Sequence, residues 1–364
     1  MPKYKSPATL KSRLNRSIRK HLERPEQPPP NARSTKKAEL IEAYGLPPNA
    51  KFLFFKKGRR YGQPRLTLTY GTVICLDYHT CELLCVVRFI ERDDMDQSYF
   101  KMLNHSISTV YQHARARGEV KNNGATYRCR RLGRKHGRMF AAGFRPGYDK
   151  EVKAVPHPNL PFAGQYTWNE ATAADYRKME ADLKRQGNLP AIESFFAERF
   201  SGLSLAAFQS NATLAARTNA PSWANESFYV SPNAQVFGSN ITVTFDEFAN
   251  KKHKDRDASK YAFGFFGLID RATGEFYHRG STAPRGNTLG AHFVLDDYNF
   301  DINLDATDGI IEMLWNSQAH HHTTPSRTYD SNSKQIPPQE AEITRFACST
   351  QIAQGLVNRL DKVK

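Results

Sequence analysis

Residues 308–325 read DGIIEMLWNSQAHHHTTP, which is the pattern of two successive β-strands. A turn at 308–309 precedes the apolar run 310–315, whose β-branched and aromatic residues predict a buried strand. A second turn follows at 316–317, and residues 320–322 begin the strand that returns. Adjacent histidines therefore stand where a strand starts beside a buried one. At least one of them is a candidate metal ligand.

Strand signals recur along the C-terminal third of the chain. Runs rich in β-branched and aromatic residues alternate there with turns, at 235–245, 261–269, 275–278, 291–295, 300–304, 310–315 and 343–352. Seven or eight strands in about 125 residues, joined by short connections, predict a double-sheet jelly roll or a similar barrel. We therefore expect an α+β fold with a double-stranded β-helix (jelly-roll) core at 228–364.

The preceding part of the chain mixes helices and strands. A helix at 38–44, strands at 52–55, 66–70, 73–77 and 82–90, and an amphipathic helix ending at Gly118 predict an α/β extension over residues 38–165. A capping box at 167–170 begins a helix that ends at Gly187. Pro190 opens a second helix that continues to Gly202, and a third spans 203–218. These helices, in residues 166–227, should brace the core.

The chain of 364 residues carries a formal net charge of +16, and part of that charge is concentrated at the N-terminus. Residues 1–37 hold eleven Lys or Arg residues against two acids, with three consecutive prolines among them. This composition predicts a disordered basic arm that contacts phosphates or serves as a nuclear address. No long apolar run occurs, so we expect neither a signal peptide nor a membrane span.

A second basic segment lies between residues 115 and 148. Residues 115–138 contain nine Lys or Arg and a single acid, Glu119, and aromatic residues are interleaved with them or follow them. A charge run is usually a solvated face, but this imbalance favours contact with the phosphates of DNA or RNA. The cations are Arg115, Arg117, Lys121, Arg128, Arg130, Arg131, Arg134, Lys135 and Arg138.

The five cysteines do not form a zinc-type pair of the CxxC kind. Their odd number and spacing indicate a reducing compartment without a disulfide framework. Cys75, Cys81 and Cys85 could bind a metal together with His79, yet they lie in apolar, strand-like sequence. That setting favours buried thiols.

The sequence His253-Lys254-Asp255 has the spacing of half a metal site. At the end of a strand, residues two apart point to the same face, so the imidazole and the carboxylate can reach one ion. Two histidines and one carboxylate leave coordination positions open, as a non-haem Fe(II) oxygenase requires for its co-substrate and O2. The third ligand would come from residues 320–322. The alternative is a charged, solvated turn.

These motifs together resemble the TET/JBP dioxygenases. The resemblance rests on His-Lys-Asp at 253–255, a histidine twelve residues after Gly309, the sequence His-X-Thr-Thr-Pro, and Thr344-Arg345 at the start of a last strand. It covers about residues 228–353. It implies Fe(II) and 2-oxoglutarate as cofactors, O2 as co-substrate, and oxidation of methyl groups on bases of double-stranded DNA.

The resemblance also assigns individual residues. His253 and Asp255 match the first two iron ligands, and His321 matches the third, with His320 and His322 as the alternatives. Arg345 matches the arginine that holds the distal carboxylate of 2-oxoglutarate, a task suited to the guanidinium fork. Arg327 is the alternative, although its polar surroundings indicate exposure to solvent.

The chain departs from the family pattern in the residues that read the base. The family's base-reading histidine falls at Ala353, and Asp257 stands, one residue shifted, where the family has a polar residue after the first ligands. Asp257 could accept a hydrogen bond from the amino group of cytosine or adenine. The resemblance therefore implies oxidation of 5-methylcytosine or demethylation of N6-methyladenine. The cysteine-rich region of the large TET proteins has no counterpart.

We thus expect a nuclear, monomeric enzyme that flips a methylated base out of the DNA stack into the mouth of the barrel. Two other functions stay open at this stage. A 2-oxoglutarate oxygenase acting on RNA or protein would share the iron site. A DNA-binding protein without enzymatic activity would keep only the basic segments.

Overall fold

A computed structural model describes residues 34–58, 65–120, 137–145, 154–157, 160–225, 235–276 and 287–361. Within these ranges the chain combines large β-sheets with helices, as expected for an α+β fold. None of the helices found there is both long enough and apolar enough to span a bilayer.

The described helices and strands are named in chain order. The helices are α1 (Ser34–Tyr44), α2 (Gln97–Arg115), α3 (Glu170–Ala173), α4 (Tyr176–Ser201), α5 (Leu205–Thr218) and α6 (Gln354–Leu360). The strands of the N-terminal half are β1 (Lys51–Phe55), β2 (Leu66–Leu68), β3 (Thr72–Asp77), β4 (Leu83–Ile90), β5 (Arg138–Arg145), β6 (Ala154–His157) and β7 (Leu160–Tyr166). The remaining strands are β8 (Asn240–Phe245), β9 (Tyr261–Asp270), β10 (Asn287–Leu289), β11 (His292–Leu295), β12 (Phe300–Asn303), β13 (Ile310–Asn316), β14 (His321–Thr323), β15 (Arg327–Tyr329) and β16 (Ile343–Gln351).

Two facing sheets form the centre of the fold. In the described residues the larger sheet has the strand order β1-β3-β4-β13-β9-β16-β8-β5-β7-β6, and the smaller has the order β14-β11-β12-β2. Strands β13, β9, β16 and β8 are antiparallel neighbours, as are β14, β11 and β12. The predicted double-sheet jelly roll is thereby confirmed. The N-terminal extension widens the larger sheet, because β4 pairs with β13 and β5 pairs with β8.

Strand β13 is buried on both faces, which explains its nearly continuous apolar sequence. Ile311, Met313 and Trp315 point into the core between the two sheets. Ile310 and Leu314 point to the opposite face, into the core that the larger sheet forms with the helices. The alternation of side chains along the strand thus joins two separate apolar cores.

One charged side chain, Glu312, lies on the helix-facing side of β13. It is fully buried, and Arg199 of α4 donates to both of its carboxylate oxygens at 2.6 and 3.0 Å. Tyr99 of α2 donates at 2.7 Å, and Arg88 of β4 donates at 3.2 Å. Because an unpaired buried carboxylate is costly, these bonds hold two helices and two strands in fixed positions.

The helical region differs from the prediction in three places. The capping box predicted at 167–170 does not begin the long helix, because Asn169 caps the four-residue α3 and Asp175 caps α4. Helix α4 runs without a break from Tyr176 to Ser201, so the expected end at Gly187 and new start at Pro190 are wrong. Apolar side chains on both sides of Pro190, such as Leu189 and Ile192, are fully buried, and this packing outweighs the local helix-breaking signals. In addition, α1 begins at Ser34 and takes in residues 34–37, which the prediction assigned to the basic arm.

Glu193 of α4 is another buried acid, and we expect it to make stability depend on pH. Its side chain accepts a hydrogen bond from Ser222 at 2.6 Å, but burial raises the pKa of the carboxyl to about 8 from 4.5. Between these values the unfolded chain releases a proton that the folded chain keeps. The free energy of unfolding should therefore fall as pH rises through this window, with a contribution approaching ~1.4 kcal/mol per pH unit.

The Glu193→Gln variant should lose this contribution. Relative to the wild type, its free energy of unfolding should increase from about pH 5 to about pH 8 and then stay level. Urea unfolding at several pH values measures the difference. Glu198→Gln, which changes an exposed carboxyl on the same helix, is the matched control. Parallel pH profiles for the wild type and Glu193→Gln would contradict the assignment.

Candidate metal centre and active-site cavity

Reciprocal backbone hydrogen bonds join the two parts of the metal site. The amide of His253 donates to the carbonyl of His321, and the amide of His321 donates to the carbonyl of His253, both at 3.0 Å. Two residues further on, the amide of Asp255 donates to the carbonyl of Ser317 at 3.0 Å. The loop at 251–257 therefore lies against the first residue of β14 as a short additional strand segment.

The imidazole rings are oriented in the same way. Nδ1 of His253 donates to the carbonyl of Lys251 at 2.7 Å, and Nδ1 of His321 donates to the carbonyl of Ala319 at 3.0 Å. Each Nε2 is thereby turned toward the same point, which is the ring orientation that a metal ligand requires. The Nε2 atoms lie 3.2 Å and 3.4 Å from the two carboxylate oxygens of Asp255. One ligand atom from each of the three residues lies within 4.8 Å of the others.

The surroundings keep Asp255 ionised. Burial would raise the pKa of this carboxyl, but hydrogen bonds and charge interactions with His253 and His321 bring the pKa well below its usual range. His321 is 3% exposed, with Phe293 stacked on its ring at 5.2 Å between centroids. A carboxylate and two imidazoles that converge on one point form a donor set suited to Fe(II). In the described part of the chain no other group of histidines, cysteines and acids converges in this way.

The neighbours of His321 have other partners. Nδ1 of His320 lies 2.8 Å from Asp297, and Nδ1 of His322 lies 2.6 Å from Asp296. Because residues 320 and 322 flank 321 along the strand, their side chains point to the opposite face. The structure thus brings His321, and neither of the two alternatives, to His253 and Asp255.

The threonines of the His-X-Thr-Thr-Pro motif fix the loop and the strand. Asn250 accepts hydrogen bonds from the amide of Thr323 at 2.7 Å and from its hydroxyl at 3.0 Å, and the amide of Asn250 donates back to that hydroxyl at 3.2 Å. The hydroxyl of Thr324 donates to the carbonyl of Gly290 at 3.0 Å and accepts from the amide of His292 at 2.9 Å. One threonine therefore holds the metal-binding loop, and the other holds the start of β11.

A cavity of about 420 Å³ opens beside the three candidate ligands. Its size lies within the range of about 300–1,000 Å³ that is usual for small-molecule sites. The side chains along one part of its wall are apolar, including Phe266, Phe293 and Trp315. Polar side chains from β8 and β16 line another part, among them Thr242, Ser349 and Gln351.

Arg345 lines a smaller cavity that shares five lining residues, among them Thr244 and Ala347, with the larger one. Its side chain is 7% exposed, and the guanidinium donates to the carbonyls of Leu304 and Thr288 and is ion-paired with Asp305. Nε of Arg345 is buried and has no hydrogen-bond partner among the described residues. Burial lowers the pKa of this arginine. The alternative, Arg327, is exposed.

Asp257 lies on the inward side of the loop, two residues after Asp255. Burial, together with the charge of Asp255, raises its pKa well above the usual range, and its Oδ2 has no partner among the described residues. Its backbone pairs with Ala353, the position of the family's base-reading residue. Asp257 is absent from the described lining of the cavity, however, so its contact with a base stays a prediction.

Three of the nine cations predicted to contact DNA belong to the described residues. Arg117 is 2% exposed and donates to the buried Asp182 at 2.6 Å, so the expectation that it contacts a phosphate is wrong. Arg115 donates to the carbonyl of Arg271, and Arg138 pairs with Glu119 at 2.9 Å near the surface. The other six lie outside the described residues: Lys121, Arg128, Arg130, Arg131, Arg134 and Lys135.

Of the three cysteines predicted to be buried thiols, Cys75 and Cys85 are buried and Cys81 is only half-buried. Cys348 is also buried, and all four described cysteines are free thiols. Burial raises the pKa of Cys348 to about 12, as expected for an inert thiol.

The family model of the Tet-like 2OG-Fe(II) oxygenase superfamily matches residues 99–326, more than half of the chain. The chain belongs to this superfamily. Among solved structures the chain is similar to NgTET1 in complex with 5mC DNA, at 9% identity and a TM-score of 0.41, with 94% of this chain and 92% of that chain covered. No curated protein matches the sequence. The family resemblance seen in the motifs is thereby confirmed.

The cofactors of the superfamily, Fe(II) and 2-oxoglutarate, suit the residues that are present. Nε2 of His253, Nε2 of His321 and the carboxylate of Asp255 would hold iron. The partnerless Nε of Arg345 offers a further N–H to a carboxylate, in a cavity that adjoins the metal site. The chain is therefore a 2-oxoglutarate-dependent oxygenase.

We expect His321→Ala to abolish Fe(II) binding, because it removes one of three ligands. The loss should exceed the roughly 10–100-fold effect of outer-sphere changes. Anaerobic titration with Fe(II), followed by calorimetry, measures the affinity. His320→Ala and His322→Ala are the matched controls, since their rings bond to Asp297 and Asp296. Equal losses in all three variants would contradict the assigned ligand set.

Proposed function

We propose that the protein oxidises methyl groups on bases of double-stranded DNA, with 5-methylcytosine and N6-methyladenine as the candidate substrates. The observation that carries the proposal is the cavity beside His253, Asp255 and His321, whose volume of about 420 Å³ suits a single flipped base. The net charge of +16 favours a polyanionic partner.

Cations on the metal-binding loop support a nucleic-acid substrate. His253, Asp255 and Asp257 are half-buried. The residues that alternate with them, Lys252, Lys254 and Arg256, are exposed. Lys252 pairs with Asp297, but Lys254 and Arg256 make no ion pair with a described residue. Because they alternate with the inward residues, these cations project to the solvent side of the loop, while Lys251 of the same segment lines the cavity. Phosphates of a duplex docked against this side of the loop would meet them.

The residues of the chain divide the work of the reaction. Arg345 would hold the distal carboxylate of 2-oxoglutarate, and His253, Asp255 and His321 would hold the iron. The apolar wall, including Phe293 and Trp315, excludes water from the methyl group. When bound, Fe(II) and 2-oxoglutarate would supply the oxidising chemistry. One oxygen atom of O2 enters a C–H bond of the methyl group and the other enters succinate, as 2-oxoglutarate loses CO2.

The products depend on the atom that carries the methyl group. On C5 of cytosine the hydroxymethyl product is stable, and further rounds would give formyl and carboxyl groups. On N6 of adenine the hydroxymethyl group would leave as formaldehyde and restore adenine. The proposal includes a nuclear location and a monomeric state. The eleven Lys and Arg residues of 1–37 suit a nuclear localisation signal.

A nucleoside assay tests the substrate. Duplexes carrying 5-methylcytosine or N6-methyladenine are incubated with the protein, Fe(II), ascorbate and 2-oxoglutarate, and the nucleosides are quantified by mass spectrometry. We expect oxidised or demethylated nucleosides with the wild type and none with His321→Ala. If neither duplex is modified, while methylated RNA or a protein extract stimulates succinate formation, the DNA assignment is wrong.

We expect the double variant Lys254→Gln/Arg256→Gln to bind duplex DNA more weakly. The loss of two phosphate contacts should lower the slope of log K against log salt concentration by up to about 1.8. Fluorescence anisotropy at several salt concentrations measures the slope, and retained Fe(II) binding shows that the loop is intact. Lys178→Gln/Lys184→Gln, on exposed residues of α4, is the control. An unchanged slope in the first variant would exclude the loop from the DNA contact.

A further inference from the structure

A row of polar side chains crosses two neighbouring strands at the cavity. Strands β8 and β16 pair so that Thr242 lies opposite Ser349 and Asn240 lies opposite Gln351. Residues directly opposite in an antiparallel pair share one face of the sheet, with Cβ atoms about 4.5–5.5 Å apart. Thr242, Ser349 and Gln351 line the cavity, and Asn240 is their buried neighbour. We call these four residues the polar ladder.

The polar ladder lies at the opposite end of β16 from the co-substrate residue. Arg345, Ala347, Ser349 and Gln351 alternate along the strand and share its inner face. Ala347 lines both the small cavity at Arg345 and the larger one at the metal ligands. Gln351 is six residues beyond Arg345, or roughly 20 Å along a strand. If Arg345 holds 2-oxoglutarate, the polar ladder faces the part of the cavity left for the substrate.

Two carbonyl oxygens of the ladder lack a donor. Oε1 of Gln351 and Oδ1 of Asn240 are buried, and neither accepts a hydrogen bond from any described residue. Buried polar atoms in native proteins are almost always hydrogen-bonded, because an unpaired one loses its interactions with water. Gln351 lines the cavity whereas Asn240 lies behind the lining, so a ligand that brings an N–H group into the cavity would satisfy Oε1 of Gln351.

We propose that the polar ladder is the subsite that recognises the base, and that Gln351 accepts a hydrogen bond from its exocyclic amino group. This inference rests on the proposed function and narrows its substrate. The amino group of 5-methylcytosine has an N–H bond on each of its two sides, whereas that of N6-methyladenine has a single one, on the side that its methyl group leaves free. Gln351 therefore favours 5-methylcytosine. The amide of Gln351 can also donate to the adjacent ring nitrogen, as glutamine does in bidentate contacts with bases.

Binding measurements without turnover test the subsite. Duplexes hold one 5-methylcytosine or one thymine opposite an abasic site, so that neither base must break a pair. Thymine keeps the methyl group but has a carbonyl in place of the amino group. A second pair compares adenine with N6-methyladenine. Affinities are measured by fluorescence anisotropy with Fe(II) under anaerobic conditions.

The wild type should bind 5-methylcytosine about tenfold more tightly than thymine, in line with the discrimination of one good base contact. In Gln351→Leu the preference should fall to within about twofold, while Gln351→Glu, which keeps an acceptor oxygen, should retain part of it. Gln354→Leu is the matched control, because its side chain is exposed on α6 and bonds to Asn358. It should keep the wild-type preference.

A structural role for Gln351 would give a different result. Removal of an unpaired buried oxygen should leave the melting temperature of Gln351→Leu unchanged or higher, whereas loss of a structural hydrogen bond would lower it. A wild type that does not discriminate, or a Gln351→Leu variant that still does, overturns the subsite. A tighter affinity for N6-methyladenine than for 5-methylcytosine overturns the choice of base.

The subsite and the proposed function can fail separately. If Gln351→Leu abolishes the preference but no oxidised nucleoside forms in the assay above, the subsite stands and the proposed reaction is wrong. If oxidised 5-methylcytosine forms and the preference survives in Gln351→Leu, the reaction stands and the subsite is wrong.

Discussion

Reciprocal backbone hydrogen bonds between His253 and His321 are the interaction on which the active site depends. The metal-binding loop contributes only isolated bridges to the described sheets, so its contacts with β14 and with Ser317 set its position. The same bonds fix the distance between the two imidazoles, whose Nδ1 atoms are already committed to backbone carbonyls. Fe(II) would therefore meet ligands that are oriented before it binds.

The larger sheet provides the rigid support for this arrangement. Strand β13 leads directly into the turn before His321, and on its other face Glu312 is bonded to residues of α2, α4 and β4. A shift of β13 along its axis would break these bonds and leave a buried charge unpaired. The buried acid on the back of the sheet thus limits the movement of the metal ligand on the other side, although the two share no contact.

The sequence was most informative where burial produces a simple pattern. Strands β9, β11, β12, β13 and β16 match the prediction to within one residue at each end, because strands buried on one or both faces carry runs of apolar residues between clear turns. Strand β8 begins at Asn240 rather than at 235, and the strand predicted at 275–278 is absent from its described part, 275–276. The predicted break between Gly187 and Pro190 is wrong, because packing around Pro190 keeps α4 continuous. Such packing with distant residues has no signal in the local sequence. The predicted phosphate contact of Arg117 is also wrong, because this residue is buried although its neighbours in the basic segment suggest a charged surface. Its position four residues after His113, on the buried face of the helix end, was the signal that could have corrected it.

The candidate site was predicted only in part for a related reason. Spacing identified His253 and Asp255, and the motif selected His321 from three histidines, but spacing does not tell which face of a strand looks into a cavity. Gln351 shares the alternation of Arg345 and could have been found by counting in twos from it. The unpaired state of its carbonyl oxygen is a property of the folded chain and has no signature in the sequence.

The alternation along residues 252–257 has a consequence for how this loop can change in evolution. Metal-site residues and exposed cations occupy alternate positions of one short segment, so their placement is coupled by the geometry of an extended chain. Insertion or deletion of a single residue between His253 and Asp257 would turn lysine and arginine toward the metal site and carboxylates toward the solvent. A substitution can change the inward residues or the exposed residues alone, whereas a change of length would displace both sets at once. We therefore expect homologues to vary in the residues of this loop and to keep its length.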